Sequence, residues 1–178
     1  MESWIKYIIP KYEDKSVKDE DCFRMKVARQ QAKKNIVEIK DIKEYCDKFL
    51  KGLKDDDYIL NYDIIVVNLK ENHIKWGFYT KIKNKYNLSY KGDIVWLKFT
   101  KDGYLGVVAS SNDINFSDGN TSGKILKFLG KKWNKDIVVI IPLKFEDDIL
   151  NRQLVESGIG NYLISKDVPI LDYFSHNL

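Results

Sequence analysis

Tyr90-Lys-Gly-Asp-Ile-Val-Trp-Leu-Lys-Phe99 and Gly103-Tyr-Leu-Gly-Val-Val-Ala-Ser-Ser-Asn-Asp-Ile-Asn115 form the part of the sequence that decides the fold. Each stretch contains a strongly apolar run, and a tight turn at Lys101-Asp102-Gly103 separates the two. Apolar runs on either side of a glycine-containing turn are typical of an antiparallel hairpin. We therefore predict a small β-barrel that is built around this hairpin.

Composition limits the class of protein before any motif is considered. The chain has 178 residues, of which 44% are apolar and 31% are charged with mixed sign, so one folded domain over 1–178 is expected. Cys22 and Cys46 are the only cysteines, and they favour reduced thiols over a disulfide framework. The N-terminus lacks a signal-peptide pattern, and no apolar run is long enough to cross a bilayer. We expect a cytoplasmic protein without membrane contact.

The N-terminal part, 1–57, is predicted to be a helical layer, and its first residues, 1–15, are predicted to form a short strand or an extended arm. Helical spacing predicts a helix over 17–34 with Arg24 on its exposed face. A second helix is predicted over 41–54, with Asp41 as its N-cap.

The second helix carries a single apolar stripe that includes Cys46. We therefore expect the Cys46 thiol to be a buried apolar group and not a nucleophile.

The middle part, 58–143, is predicted to hold about six strands. Besides the hairpin, the predicted strands are Ile64–Val67 (buried on both faces), Ile74–Ile82, Ile125–Leu129 and Ile137–Ile141, which Pro142 closes. Short connections between them favour a nearly closed antiparallel barrel. The C-terminal part, 144–178, is predicted to be a helical segment that begins at Glu146 and breaks at Gly158-Ile-Gly160. The fold class is α+β.

Residues 90–143 resemble the PemK/MazF-like toxins, which are SH3-like barrels that cleave RNA. The likeness lies in Gly92–Phe99, in Val107–Asn112 with the polar loop that follows, and in Ile137–Pro142. It implies an SH3-like antiparallel barrel. The family opens its second strand with an arginine-proline pair, whereas this chain has Leu105 and Gly106 there. The resemblance therefore implies the scaffold without the family's catalytic groups.

A second, local resemblance concerns the segment from Gln153 to Tyr162. It is similar to the helix-two-turn-helix segment of DNA glycosylases of the formamidopyrimidine type, where a Gly-Ile-Gly-Asn turn meets a DNA phosphate. The resemblance implies that Asn161 contacts a phosphate. The alternative is that the glycines only form a turn.

Positive charge is concentrated in the middle of the chain. Residues 70–101 hold eight lysines against two acidic residues, and residues 124–135 hold five lysines and no acidic residue. Lysines beside aromatic side chains are typical of surfaces that bind single-stranded nucleic acid. The predicted nucleic-acid-binding residues are Lys75, Tyr79, Lys81, Lys83, Lys127, Lys131, Lys132, Trp133 and Asn161. RNA or single-stranded DNA is the predicted partner.

Several alternatives remain open at this point. Lysines also cover the solvent faces and edges of ordinary sheets, where they prevent edge-to-edge pairing. The chain could instead be a non-catalytic interaction or immunity-type module, with an apolar patch around Val168–Phe174 and a protein partner or a second copy of itself. An enzymatic activity, if present, would be ribonuclease-like. His73 and His176 are the only histidines, and no phosphate-binding glycine motif occurs. We predict no catalytic residue, no metal and no cofactor.

Overall fold

The computed structural model describes residues 3–8, 17, 19, 22–68, 84, 93–111, 119–146 and 149–172. Within these residues the chain is α+β. The helices are a 3-10 turn at Trp4–Tyr7 and the α-helices α1 (Phe23–Gln31), α2 (Ile39–Asp55), α3 (Thr121–Phe128) and α4 (Arg152–Ser165). The strands are β1 (Asn61–Tyr62), β2 (Ile65–Asn68), β3 (Ile94–Thr100), β4 (Leu105–Ser111) and β5 (Trp133–Lys144).

The predicted hairpin is confirmed as the pair β3 and β4. Its turn contains Gly103 at φ 96°, a conformation in which a side chain would be strained. The described strands form an antiparallel sheet in the order β1-β5-β3-β4, with β2 also on β5, and the sheet curls into a half-barrel. Trp96 lies opposite Ala109 on one side and opposite Ile140 on the other, so β3 is central.

The main core lies on the face of the sheet that carries Val95, Leu97 and Phe99. Helices α2 and α4 cover this face, and Phe49 of α2 stacks on Tyr162 of α4 with ring centroids 5.6 Å apart. The other face carries a smaller cluster, which is formed by Val107, Leu126, Trp133 and Leu171.

The N-terminal arm differs from its prediction at Trp4–Tyr7, which is helical and not extended. The ring of Trp4 meets Tyr162 edge to face at 5.5 Å, and the ring of Tyr7 meets it at 5.1 Å. Burial of aromatic surface on the core fixes this short segment, because so short a helix has little stability of its own.

The two N-terminal helices are confirmed, with changes in detail. The helix predicted over 17–34 is described as Phe23–Gln31, and its Arg24 is 5% exposed, so the prediction of an exposed arginine was wrong. Helix α2 is preceded by Glu38 and not by the predicted cap Asp41. Cys46 is fully buried as predicted.

The segment Ile125–Leu129 is helical, so the strand predicted there was wrong. A short apolar run matches the residue spacing of both a helix and a strand. The N-terminal cap distinguishes the two, since Asn120 Oδ1 accepts a hydrogen bond from the Gly123 N–H at 2.7 Å and caps α3.

Two other strands also differ from their predictions. Strand β5 begins at Trp133 and continues through Pro142, whose carbonyl still accepts a hydrogen bond from the Asp63 N–H. Val66 is 42% exposed, so β2 is not buried on both faces.

Helix α4 runs through both glycines that were predicted to break it, and it begins at Arg152, later than Glu146. A Cβ atom on Gly158 would lie 2.6 Å from the Phe49 ring, so close helix packing accounts for this glycine. After α4, Ile170 pairs with Leu105 of β4 in a parallel bridge. Residues 168–172 are buried, so the predicted apolar surface patch is absent from that stretch.

Candidate nucleic-acid interface

The predicted binding residues divide into three groups. Lys75, Tyr79, Lys81 and Lys83 lie outside the described residues, as do His73 and His176. Lys127, Lys131, Lys132 and Trp133 are brought together at one groove. Asn161 lies elsewhere, in the interior of α4.

The groove has a volume of about 560 Å³, and we call it the basic groove. Its lining residues are Lys101, Lys127, Gly130, Lys131, Lys132, Trp133, Lys135 and Asp136. Five of these eight residues are lysines and one is acidic, so the groove is strongly positive. Mutually repelling charges of this kind attract a polyanion.

The end of helix α3 shapes one wall of the basic groove. Gly130 adopts φ 68°, its N–H donates to the Lys127 carbonyl, and the Lys131 N–H donates to the Leu126 carbonyl at 2.9 Å. This left-handed turn stops the helix and sends the chain directly into β5. Lys127 is thereby placed on the last helical turn, beside the lysines that follow it.

Backbone pairing between β3 and β5 supplies the other wall. The Lys101 N–H donates to the Lys132 carbonyl at 2.9 Å, and Thr100 lies opposite Trp133. The turn of the hairpin is therefore joined to the start of β5. Sequence reasoning missed Lys101 and Lys135 as site residues. Lys101 reaches the groove only through this pairing, which the sequence does not show.

One lysine of the basic groove is held by the protein itself. Lys131 Nζ lies 2.5 Å from Asp102 Oδ2 and 4.4 Å from the centre of the Tyr104 ring. Burial alone would raise the pKa of Asp102, but hydrogen bonds from Lys131 and Thr100 outweigh it and lower the pKa below its ordinary value. Asp102 therefore stays ionised and keeps Lys131 in place.

The other four lysines, Lys101, Lys127, Lys132 and Lys135, are exposed. None of them forms an ion pair with any residue in the described ranges. Their ammonium groups are the part of the groove that a ligand can neutralise.

Comparison with protein-family models, curated proteins and solved structures found no match. The proposed function therefore depends on the charges and contacts of the basic groove.

Trp133 does not provide the exposed ring that was predicted. It is 3% exposed, and its ring lies so close over Gly106 that a Cβ atom there would be 2.6 Å from Cζ3. On the ring's face, Lys98 Nζ lies 4.8 Å from the centroid. Trp133 therefore offers no exposed ring face to a base, since its surface is already used inside the protein.

Asn161 is also unsuited to its predicted role. It is 0% exposed, and its Nδ2 donates to the Tyr7 carbonyl at 2.8 Å. The glycines beside it lie within a continuous helix, so no turn presents backbone N–H groups to a phosphate. Asn161 instead ties the 3-10 turn to α4.

A layer of buried charge lies next to Trp133, since Lys98 contacts the Trp133 ring and is close enough to Asp172 to feel its charge. Arg24 and Asp172 form an ion pair that is almost fully buried, and Ser122 Oγ donates to Asp172 Oδ2 at 2.6 Å. Burial lowers the pKa of Lys98 to about 8, and the charge of Asp172 opposes this shift. None of Arg24, Asp172 or Lys98 lines the basic groove, so we assign this layer to the support of the site.

A second cavity of about 480 Å³ lies between α2 and the β1–β2 segment, and its charges cancel. Lys51 pairs with Asp55 at 2.6 Å, and the Tyr62 hydroxyl donates to Asp47 Oδ1 at 2.7 Å. This cavity therefore lacks the excess of one charge that distinguishes the basic groove.

Other chemistries have little support in the described ranges. No group of three His, Cys, Asp or Glu side chains there could hold a metal ion. No described helix combines the length and the apolar character that a membrane crossing requires.

Proposed function

We propose that the chain is a cytosolic nucleic-acid-binding protein that holds phosphate groups in the basic groove. One observation carries the proposal: four exposed lysines without ion-pair partners among the described residues converge on a single concave surface. Bringing such charges together costs free energy through repulsion, and a phosphate backbone removes this cost. For the scaffold we propose an SH3-like architecture of the PemK/MazF-like kind, and the curled antiparallel half-barrel sheet is the observation that supports this hypothesis.

Cleavage of RNA is not part of the proposal. At the start of β4, where the toxins carry their arginine-proline pair, Leu105 is 1% exposed and Gly106 lies beneath the Trp133 ring. These positions therefore present no cation to a scissile phosphate. The alternative of a protein-interaction module had its predicted patch around Val168–Phe174; residues 168–172 of that patch are buried, and residues 173–174 lie outside the described residues.

Fluorescence anisotropy with labelled RNA and DNA oligonucleotides, at low and at moderate salt, tests the proposal. The groove variant replaces four lysines by glutamine: K101Q, K127Q, K132Q and K135Q. The control variant removes the same charge from exposed positions of α2: K40Q, K43Q, K48Q and K54Q.

We expect the groove variant to lose at least about 30-fold in affinity at low salt and the control variant to lose less than about threefold. Circular dichroism and thermal unfolding check that both variants are folded. The proposal is wrong if the wild-type protein binds neither RNA nor DNA at low salt, or if both variants lose affinity equally.

A further inference from the structure

The groups that the basic groove offers to a ligand are almost entirely ammonium groups. Apart from glycine, its lining side chains are the five lysines, Asp136 and Trp133, whose indole N–H is buried. Among the described residues, no arginine, glutamine or asparagine lines it. The planar side chains that most often form paired hydrogen bonds with the edges of guanine and adenine are therefore missing from this surface.

The backbone of the groove adds no further donors where its hydrogen bonds are described. The amides of Lys101, Gly130 and Lys131 donate to carbonyls, and the Asp136 amide donates to Asn134 Oδ1 at 2.9 Å. A phosphate in this groove cannot use these amides, in contrast to a phosphate in a glycine-rich loop.

The described part of the groove also lacks a stacking surface, because Trp133 is the only aromatic side chain among its described lining residues and is 3% exposed. Preference for single strands depends on unstacked bases that lie on exposed rings. A groove without such a ring gains nothing from an unpaired base, and it gains more from the higher charge density of a duplex.

We infer that the basic groove binds the sugar–phosphate backbone alone, without base specificity, and that it favours duplex nucleic acid over single strands. The inference rests on the proposed function and makes the partner more specific. It differs from the RNA or single-stranded DNA that the sequence predicted, since that prediction combined the lysines with aromatic rings, of which Trp133 is buried and Tyr79 lies outside the described residues.

The number of phosphate contacts follows from the ion pair of Lys131. The Asp102 carboxylate forms an ion pair with this ammonium group at 2.5 Å. The lysines that remain for contacts with phosphates are Lys101, Lys127, Lys132 and Lys135. For four contacts, the logarithm of the association constant should fall with the logarithm of salt concentration with a slope of about −3.6 on duplex DNA and about −2.8 on a single strand. Between 50 and 200 mM salt, duplex binding should weaken by about 150-fold.

The test measures the salt dependence of the wild-type protein on two 20-base-pair duplexes of unrelated sequence and on their separate strands. We expect the two duplexes to bind within about threefold of each other and each to bind more tightly than its strands. K101Q and K135Q should each reduce the duplex slope by about 0.9, whereas K43Q on α2 should leave it unchanged.

The outcomes separate this inference from the function on which it rests. Binding that differs more than about tenfold between the duplexes, or that favours the single strands, overturns the inference and leaves nucleic-acid binding intact. Absence of binding to every oligonucleotide at low salt overturns both. Displacement of DNA by polyglutamate at an equal concentration of charge also overturns the inference, because it would indicate an acidic protein partner.

Discussion

Asp172 Oδ1 accepts hydrogen bonds from two nitrogens of Arg24, from Nε at 2.9 Å and from Nη2 at 2.6 Å. The two residues are 148 positions apart, and their side chains are 5% and 1% exposed. The pair joins α1 to the segment that follows α4, which itself lies against β4 through the Leu171 and Asp172 amides. Three distant parts of the chain therefore meet at Asp172, α1 through its carboxylate and β4 through its backbone amide.

Replacing this carboxylate should destabilise the fold strongly. In D172N the buried guanidinium of Arg24 loses its counter-charge, and loss of one partner of a buried ion pair costs about 3–5 kcal/mol. Urea unfolding followed by circular dichroism measures the change in the free energy of unfolding. The double variant R24M/D172N should be less destabilised than the sum of the single variants, and strict additivity would contradict the proposed pairing.

The buried amine of Lys98 should make stability depend on pH. Burial lowers its pKa to about 8, whereas an unfolded chain keeps the ordinary value of 10.5. Below pH 8 both states are protonated and the cost of burying the charge, about 3 kcal/mol, is fully present. Between pH 8 and 10.5 the unfolded state binds more protons, so the contribution of Lys98 to stability improves as pH rises.

K98M isolates this effect from other titrating groups. We expect the free energy of unfolding of the wild-type protein, measured by urea titration, to increase relative to that of K98M as the pH is raised from 8 to 10. A difference that is the same at every pH would show that Lys98 is solvated.

The contact between Gly106 and Trp133 should not tolerate a methyl group. In G106A the new Cβ would lie 2.6 Å from the indole ring and 3.3 Å from the Lys98 carbonyl, so we expect a loss of about 1–3 kcal/mol from overpacking. G130A is the control, since open space surrounds that position and only its φ of 68° opposes a side chain. W133L should reduce the cost of G106A and leave that of G130A unchanged.

The two cysteines should differ sharply in reactivity. Cys46 is 0% exposed, and burial, followed by the charge of Asp47, raises the pKa of its thiol to about 12. Cys22 is only partly buried. A thiol reagent should modify one cysteine quickly in the native protein and the second only in urea, and C22S should remove the fast reaction. Fast modification of C22S would contradict the burial of Cys46.

Asp102 should limit the affinity of the basic groove. D102N keeps an acceptor for Thr100 but releases Lys131, so the slope of duplex binding with salt should steepen by about 0.9. D136N changes the net charge equally without releasing a lysine, and it should raise the affinity without changing the slope. Equal slopes for the two variants would indicate that Lys131 already contacts phosphate.

The parts of the fold that could be predicted are those that local sequence determines. The hairpin follows from Gly103 between two apolar runs, and α2 follows from a single apolar stripe. Ile125–Leu129 was too short to distinguish a helix from a strand, although Asn120 three positions before Gly123 was an available capping signal. Gly158 of α4 follows a tertiary requirement, close contact with Phe49, which helix propensity does not contain.

The site could be predicted only where its residues are neighbours in sequence. Lys127, Lys131 and Lys132 meet because one helix end and one turn place them together. Prediction of Lys101 as a site residue would have required the strand register that places Thr100 opposite Trp133. Prediction that Trp133 is buried would have required its contact with Gly106 in another strand. Such long-range pairing is not visible in local patterns.

The hydrogen bond from Asn161 to the Tyr7 carbonyl has a consequence for biosynthesis, because it joins residues 154 positions apart. Tyr7 cannot reach its native place until α4, which carries Asn161, has also left the ribosome. At ordinary translation rates this delay is roughly 8 to 30 s. During that time Trp4 and Tyr7 present uncovered aromatic surface to chaperones, because their ring partner Tyr162 lies on α4.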